Sequence, residues 1–127
     1  VPGRIREVIL VTWNKYHAKK INIQGETFDS MAEARRWRDL QWLQRGGVIR
    51  GLQRQVKYLL VPAQYDENCK LLEREIVYVA DFVYYENGQL VVEDVKGYKK
   101  GPAYAVFVMK RKLMLKVYGI RVKEVCR

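Results

Sequence analysis

Apolar and polar positions change their period several times along the 127 residues, and those changes mark out the elements. Val8 to Thr12 is a β-prone run that predicts a short strand or a docked arm. The basic stretch Lys15 to Lys20 follows it, and Ile21 to Phe28 predicts a small hairpin around Gly25-Glu26. From Ser30 to Arg45 the period becomes helical, with Ala34, Trp37, Leu40 and Leu43 as its apolar line. Ser30 and Glu33 have the spacing of a capping box, and Gly46-Gly47 supplies the stop. Residues 52–61 are β-prone through Val56, Tyr58, Leu59, Leu60 and Val61, and they end at Pro62 before a polar loop through Asp66-Glu67-Asn68.

The run from Glu75 to Tyr85 is rich in Val, Tyr and Ile. It meets Asn87-Gly88, a strong two-residue hairpin signal, and returns as Gln89 to Lys96. A basic, glycine-containing loop, Gly97 to Pro102, leads into a second predicted helix, Ala103 to Tyr118. Its expected inward line is Val106, Met109, Leu113 and Val117, with Gly119 after its end. Ile120 to Val125 predicts a closing strand. With no repeat or linker, the order αβββαβ predicts one α/β domain over residues 1–127. A central mixed sheet is flanked by two helices, and residues 1–25 form a basic arm and hairpin.

Composition narrows the class. Twenty-four basic against 14 acidic side chains give a net charge of +10, so a polyanion is the expected partner. A 49% hydrophobic fraction excludes a disordered chain. No apolar run approaches the ~20 residues of a membrane span, and none resembles a signal segment. Cys69 and Cys126 alone make neither a disulfide framework nor a zinc site, which fits a cytoplasmic protein. The charge is also unevenly placed. Residues 97–127 carry nine Lys/Arg against Glu124 alone, whereas residues 71–96 carry two against six carboxylates.

The hairpin explains that acidic segment. With Asn87-Gly88 as the two turn residues, each cross-strand pair sums to 175, so Asp81 falls opposite Asp94, and Lys96 shares the face of Asp94. Opposed like charges in a sheet are destabilising, and a divalent cation with oxygen ligands, Mg²⁺ first, resolves the conflict. A slip of one residue would undo the arrangement. Glu33 has a sufficient local role as the capping-box acid, yet Trp37 and Leu40 at i+4 and i+7 put it beside the inward line, within reach of a metal at the sheet. By alternation Glu93 points to the other face with Phe82 and is left out of the site.

Glu33 on a first helix, Asp81 in a strand, Asp94-Val95-Lys96 across a hairpin and then a basic helix and strand resemble the PD-(D/E)XK nuclease superfamily over about residues 26–125. Phe28-Asp29-Ser30, Ala80-Asp81-Phe82, Val91 to Gly97 and Lys110 to Leu113 are similar to small phage-encoded nucleases related to Holliday-junction resolvases. The proline of the superfamily's name is replaced by Ala80.

The resemblance implies a restriction-endonuclease-like core and Mg²⁺-dependent hydrolysis of DNA phosphodiesters, with Mn²⁺ as a substitute. Asp81 and Asp94 would hold the metal, with the Val95 carbonyl and Glu33 as further ligands. Lys96 would position the attacking water or stabilise developing charge, making Glu33, Asp81, Asp94 and Lys96 the catalytic set. Lys99 and Lys100, Lys112 and Lys116, and the arm residues Lys15, Lys19 and Lys20 would grip DNA phosphates. His17 is read as an arm residue, with a base role open. The expected protein is a homodimeric Holliday-junction resolvase of recombination and repair, in the host cytoplasm if phage-encoded. The alternatives are a nuclease for flaps, nicks or duplex DNA, and a catalytically silent DNA-binding module of the same fold.

Overall fold

The computed structural model describes residues 9–13, 19–23, 25–97 and 99–126. Lys15 and His17 lie outside them, and of Lys19 only its place in a strand is described. Among the described residues no helix is long and apolar enough to cross a membrane.

Three antiparallel strands, β1 (Ile9–Trp13), β2 (Lys19–Ile23) and β3 (Glu26–Phe28), form a small sheet ahead of α1 (Met31–Arg45). Ile21, Ile23 and Phe28 pack with Ala34 of α1. Arg54 ties this sheet to the main one: it pairs with Glu26, donates to the Thr27 carbonyl at 2.7 Å and lies over the Phe28 ring at 4.1 Å.

The main sheet runs in the order β4-β7-β8-β9, from β4 (Ile49–Val61), β7 (Ile76–Glu86), β8 (Gln89–Lys96) and β9 (Lys123–Cys126). The first two junctions are antiparallel and β8–β9 is parallel, so the sheet is mixed. A parallel neighbour needs a crossover, and α2 (Gly101–Tyr118) supplies it. The helices cover opposite faces. Leu40 of α1 packs with Ile49, Phe82, Tyr84 and Val95, while Phe107 and Met114 of α2 pack with Tyr78, Ala80, Val83 and Val92.

The helix, three-strand, helix, strand order stands as expected for the core, with five departures. β4 begins at Ile49 and α2 at Gly101, each earlier than the apolar pattern predicts. The closing strand starts only at Lys123. The polar loop after Pro62 contains a small hairpin, β5 (Gln64–Tyr65) and β6 (Leu71–Glu73), closed by Asp66, whose carboxylate accepts from the Asn68 and Lys70 amides. Most important, the inward line expected for α2 is wrong: Val106, Met109 and Val117 are 50%, 63% and 49% exposed, and the buried side chains are Phe107 and Met114. The helix is apolar over more than half its circumference, so periodicity alone offered two stripes, and the larger aromatic took the core.

Candidate active site

Local chemistry sets the hairpin. Asn87 and Gly88 have φ of 52° and 76°, the left-handed pair that a type I′ turn requires. The ladder from Glu86↔Gln89 to Phe82↔Glu93 has the expected register. It stops one pair short of Asp81 and Asp94. There the Asp81 side chain replaces the backbone as acceptor, its Oδ2 taking the Val95 N–H at 2.8 Å. Asp81 therefore faces Asp94 where β7 and β8 cease to pair.

A second irregularity meets the first. Ala80 and Val83 pack toward α2 while Phe82 and Tyr84 pack toward α1, so β7 loses its alternation at Asp81. Across the sheet, Leu52 packs on the α1 side and Val56 on the α2 side, and the residue between their halves, Gln55, has φ of 55°. Val56↔Ala80 and Arg54↔Phe82 are paired, but Gln55 and Asp81 between them are not. Instead Gln55 Nε2 approaches Asp81 Oδ1 at 3.4 Å. The face switch frees the Asp81 carboxylate from both covered faces and turns it toward β8.

Asp94 is buried, with both oxygens engaged. Oδ2 accepts from the Tyr78 hydroxyl at 2.7 Å and Oδ1 lies 2.9 Å from Lys96 Nζ. The Lys96 ammonium in turn sits 3.8 Å over the Phe107 ring. Val92, Asp94 and Lys96 thus share the α2 face, and Glu93 lies on the other with Phe82, as alternation dictates. Glu93 is fully buried there. It receives two bonds from Arg36, at 2.9 and 2.6 Å, and the Tyr84 hydroxyl. Arg36 is one helical turn from Glu33, so the Arg36–Glu93 pair pins the turn that carries Glu33 to the strand that carries Asp94.

Ser30 caps α1, its Oγ accepting from the Glu33 N–H at 3.1 Å. The Glu33 side chain belongs to the acidic centre. Burial first, then the Asp29 and Asp94 charges, push Glu33 up to about 6, against a hydrogen bond from the Asp29 backbone. Burial, then Asp94 and Glu33, push Asp81 up to about 7. Burial and the Asp94 charge raise the Tyr78 hydroxyl far above the ordinary tyrosine range. The three carboxylates expected from the sequence therefore share one electrostatic environment, with Lys96 as its positive member.

As they stand, no three His, Cys, Asp or Glu side chains among the described residues are arranged to hold a metal ion. The donor chemistry nonetheless fits a hard divalent cation, because Asp81 and Asp94 offer oxygen ligands and a positive charge beside Asp81 would reverse the repulsion that raises it.

The expected DNA contacts disperse around this centre. Half-buried Lys20 pairs with exposed Asp29. Lys99 and Lys100 are exposed between Lys96 and α2, Lys99 lying 3.8 Å from Glu124. Lys112 and Lys116 are exposed on α2, about 8 and 14 Å along the axis beyond Phe107, and Lys112 is rotated about 140° from it. They form no single cluster with the loop. Tyr78, Gln55, Phe107 and the Arg36–Glu93–Tyr84 group were not anticipated. Only the Arg36 spacing from Glu33 carried a signal in the sequence.

A family model described as "Protein of unknown function (DUF1064)" matches residues 13–127. No curated protein and no solved structure matches the chain.

Proposed function

The chain belongs to the DUF1064 family, and we propose that it is a metal-dependent endonuclease of restriction-endonuclease-like fold that recognises DNA by structure, a homodimeric Holliday-junction resolvase acting in the cytoplasm. One observation carries the reading. Asp81 and Asp94 confront each other where two central strands part, burial and then the Asp94 and Glu33 charges lift Asp81 to about 7, and Lys96 stands 2.9 Å from Asp94. A structural role gives no reason to gather carboxylates that repel at a cost to folding.

In this reading Asp81, Asp94, Glu33 and the Val95 carbonyl would hold Mg²⁺ or Mn²⁺, which would supply Lewis acidity toward a phosphodiester and water. The chain's own groups do the rest. The Val95 N–H and Gln55 aim the Asp81 carboxylate. Tyr78 fixes one Asp94 oxygen. Lys96, braced on Phe107, presents positive charge to the negative charge that develops on phosphate. Lys99 and Lys100, next along the chain, hold flanking phosphates without reading bases. Two symmetric cuts on a four-way junction need two such sites, hence two copies.

One feature favours a second reading, a catalytically silent DNA-binding module: Tyr78 and Lys96 already occupy both oxygens of Asp94. Incubation with four-way junction, flap, duplex and single-stranded DNA separates the readings. Paired cuts in the junction with Mg²⁺, none in EDTA and none by Asp94→Asn, which still binds, are expected. Preferred cutting of flaps or duplex selects a different nuclease, and tight binding without cleavage under Mg²⁺ and Mn²⁺ selects the silent module.

A further inference from the structure

The apolar stripe that α2 leaves largely uncovered lies about a quarter turn from Phe107 and Met114. Val106, Met109, Leu113 and Val117 follow the 3-, 4- and 4-residue spacing of a helix–helix seam; Val106, Met109 and Val117 are exposed, and half-buried Leu113 joins the stripe to the core. Beside them runs an open groove of ≈ 380 Å³ between α2 and the start of β7, with Ile76, Val106, Met109 and Leu113 among its lining. Met109 is 63% and Ile76 40% exposed. Contiguous large apolar side chains in water are costly unless a partner covers them.

Charge identifies the partner. The groove carries two charged residues, Glu75 on the strand side and Lys110 on the helix side. A two-fold docking that sets Glu75 of one copy against Lys110 of the other forms that ion pair twice. The rest of this +10 chain repels a second copy and attracts polyanions. Here exposed Glu73 and Glu75 precede Ile76, while exposed Lys112 and Lys116 flank the stripe on α2, so opposite charges adjoin one apolar strip. Phosphates gain nothing from a groove floored by Ile, Val, Met and Leu; a second copy does.

We propose that this face is the contact surface for a second copy of the chain, with α2 of each copy laid against the groove of the other. The inference rests on the homodimer in the reading above, and on no property of the cleavage chemistry.

Sedimentation equilibrium tests it, with melting curves to confirm that each variant folds. The unaltered protein is expected to dimerise at about 10 µM or below, and Met109→Glu to weaken the dimer at least ~100-fold, because it places two carboxylates in an apolar seam. Glu75→Lys and Lys110→Glu should each weaken it ~10-fold or more, and the double reversal should recover to within about threefold of the unaltered chain. A monomer at about 100 µM overturns the proposal. So does a folded Met109→Glu dimer of unchanged affinity, or a double reversal no better than its singles. Junction cleavage is assayed on the same samples. A dimer broken by these variants that never cuts DNA supports this interface and sinks the nuclease; a monomer that cuts junctions does the reverse.

Discussion

Replacing Asp81 by Asn is expected to stabilise the metal-free protein and to abolish the proposed DNA cleavage. Asp81 stands at about 7 in the fold against an ordinary 3.8, so the fold holds its proton roughly three units more tightly than the unfolded chain does. At ~1.4 kcal/mol per unit, the ionised carboxylate costs the fold at most about 4 kcal/mol. That cost is absent below the unfolded value, grows as pH rises through 4 to 7, and is complete above 7. Asn cannot ionise, yet its Oδ1 can still accept the Val95 N–H that Asp81 Oδ2 takes at 2.8 Å. Small rearrangement and water entry relieve part of the strain in the parent, so a gain of about half the ceiling, ~2 kcal/mol, is expected. In a chain of this length that is a rise in Tm of about 6–8 °C. Melting in EDTA at pH 8, 6 and 4 measures it: the gain should be full at pH 8 and shrink toward nothing at pH 4. Mg²⁺ should then raise the Tm of the parent and leave Asp81→Asn unmoved. An Asp81→Asn protein that melts lower than its parent at pH 8 in EDTA, or a gain that persists undiminished at pH 4, would refute the reasoning.

Other perturbations separate neighbouring roles. Glu33→Gln keeps a capping side chain, so turnover should fall at least ~10-fold with the melting temperature nearly unchanged; unaltered turnover would leave Glu33 as a cap only. Arg36→Met strips buried Glu93 of its bidentate partner and should cost about 3–5 kcal/mol in urea unfolding, partly restored when Glu93→Gln is added; a loss below ~1 kcal/mol would show that the pair does not hold α1 to β8. Lys99→Ala with Lys100→Ala should weaken junction and duplex binding alike and flatten the slope of log K against log salt by roughly one to two. An unchanged slope would place both lysines outside the DNA contact.

What the chain declares locally survives folding. Ser30 caps α1 and Gly46 ends it, because capping depends on atoms within one turn. Asn87-Gly88 makes the turn, and a two-residue turn transmits its register along both strands, so the confrontation of Asp81 with Asp94 could be counted from the sequence. The period-two rule likewise separated Glu93 from Asp94. Other features depend on groups far apart in the chain. Gln55 adopts a left-handed conformation and Asp81 bonds Val95 because two long strands switch faces together, and neither strand's alternation reveals that its partner will do so. Tyr78, sixteen residues from Asp94, becomes its proton donor only after the hairpin closes. On α2 both apolar stripes satisfied a helical period. The sheet chose Phe107 and Met114 because they fill the space over Tyr78 and Val92, leaving Val106 and Met109 at the surface. Periodicity along one chain reports that a side chain needs burial, but which surface buries it is decided by the shape and volume of what packs against it.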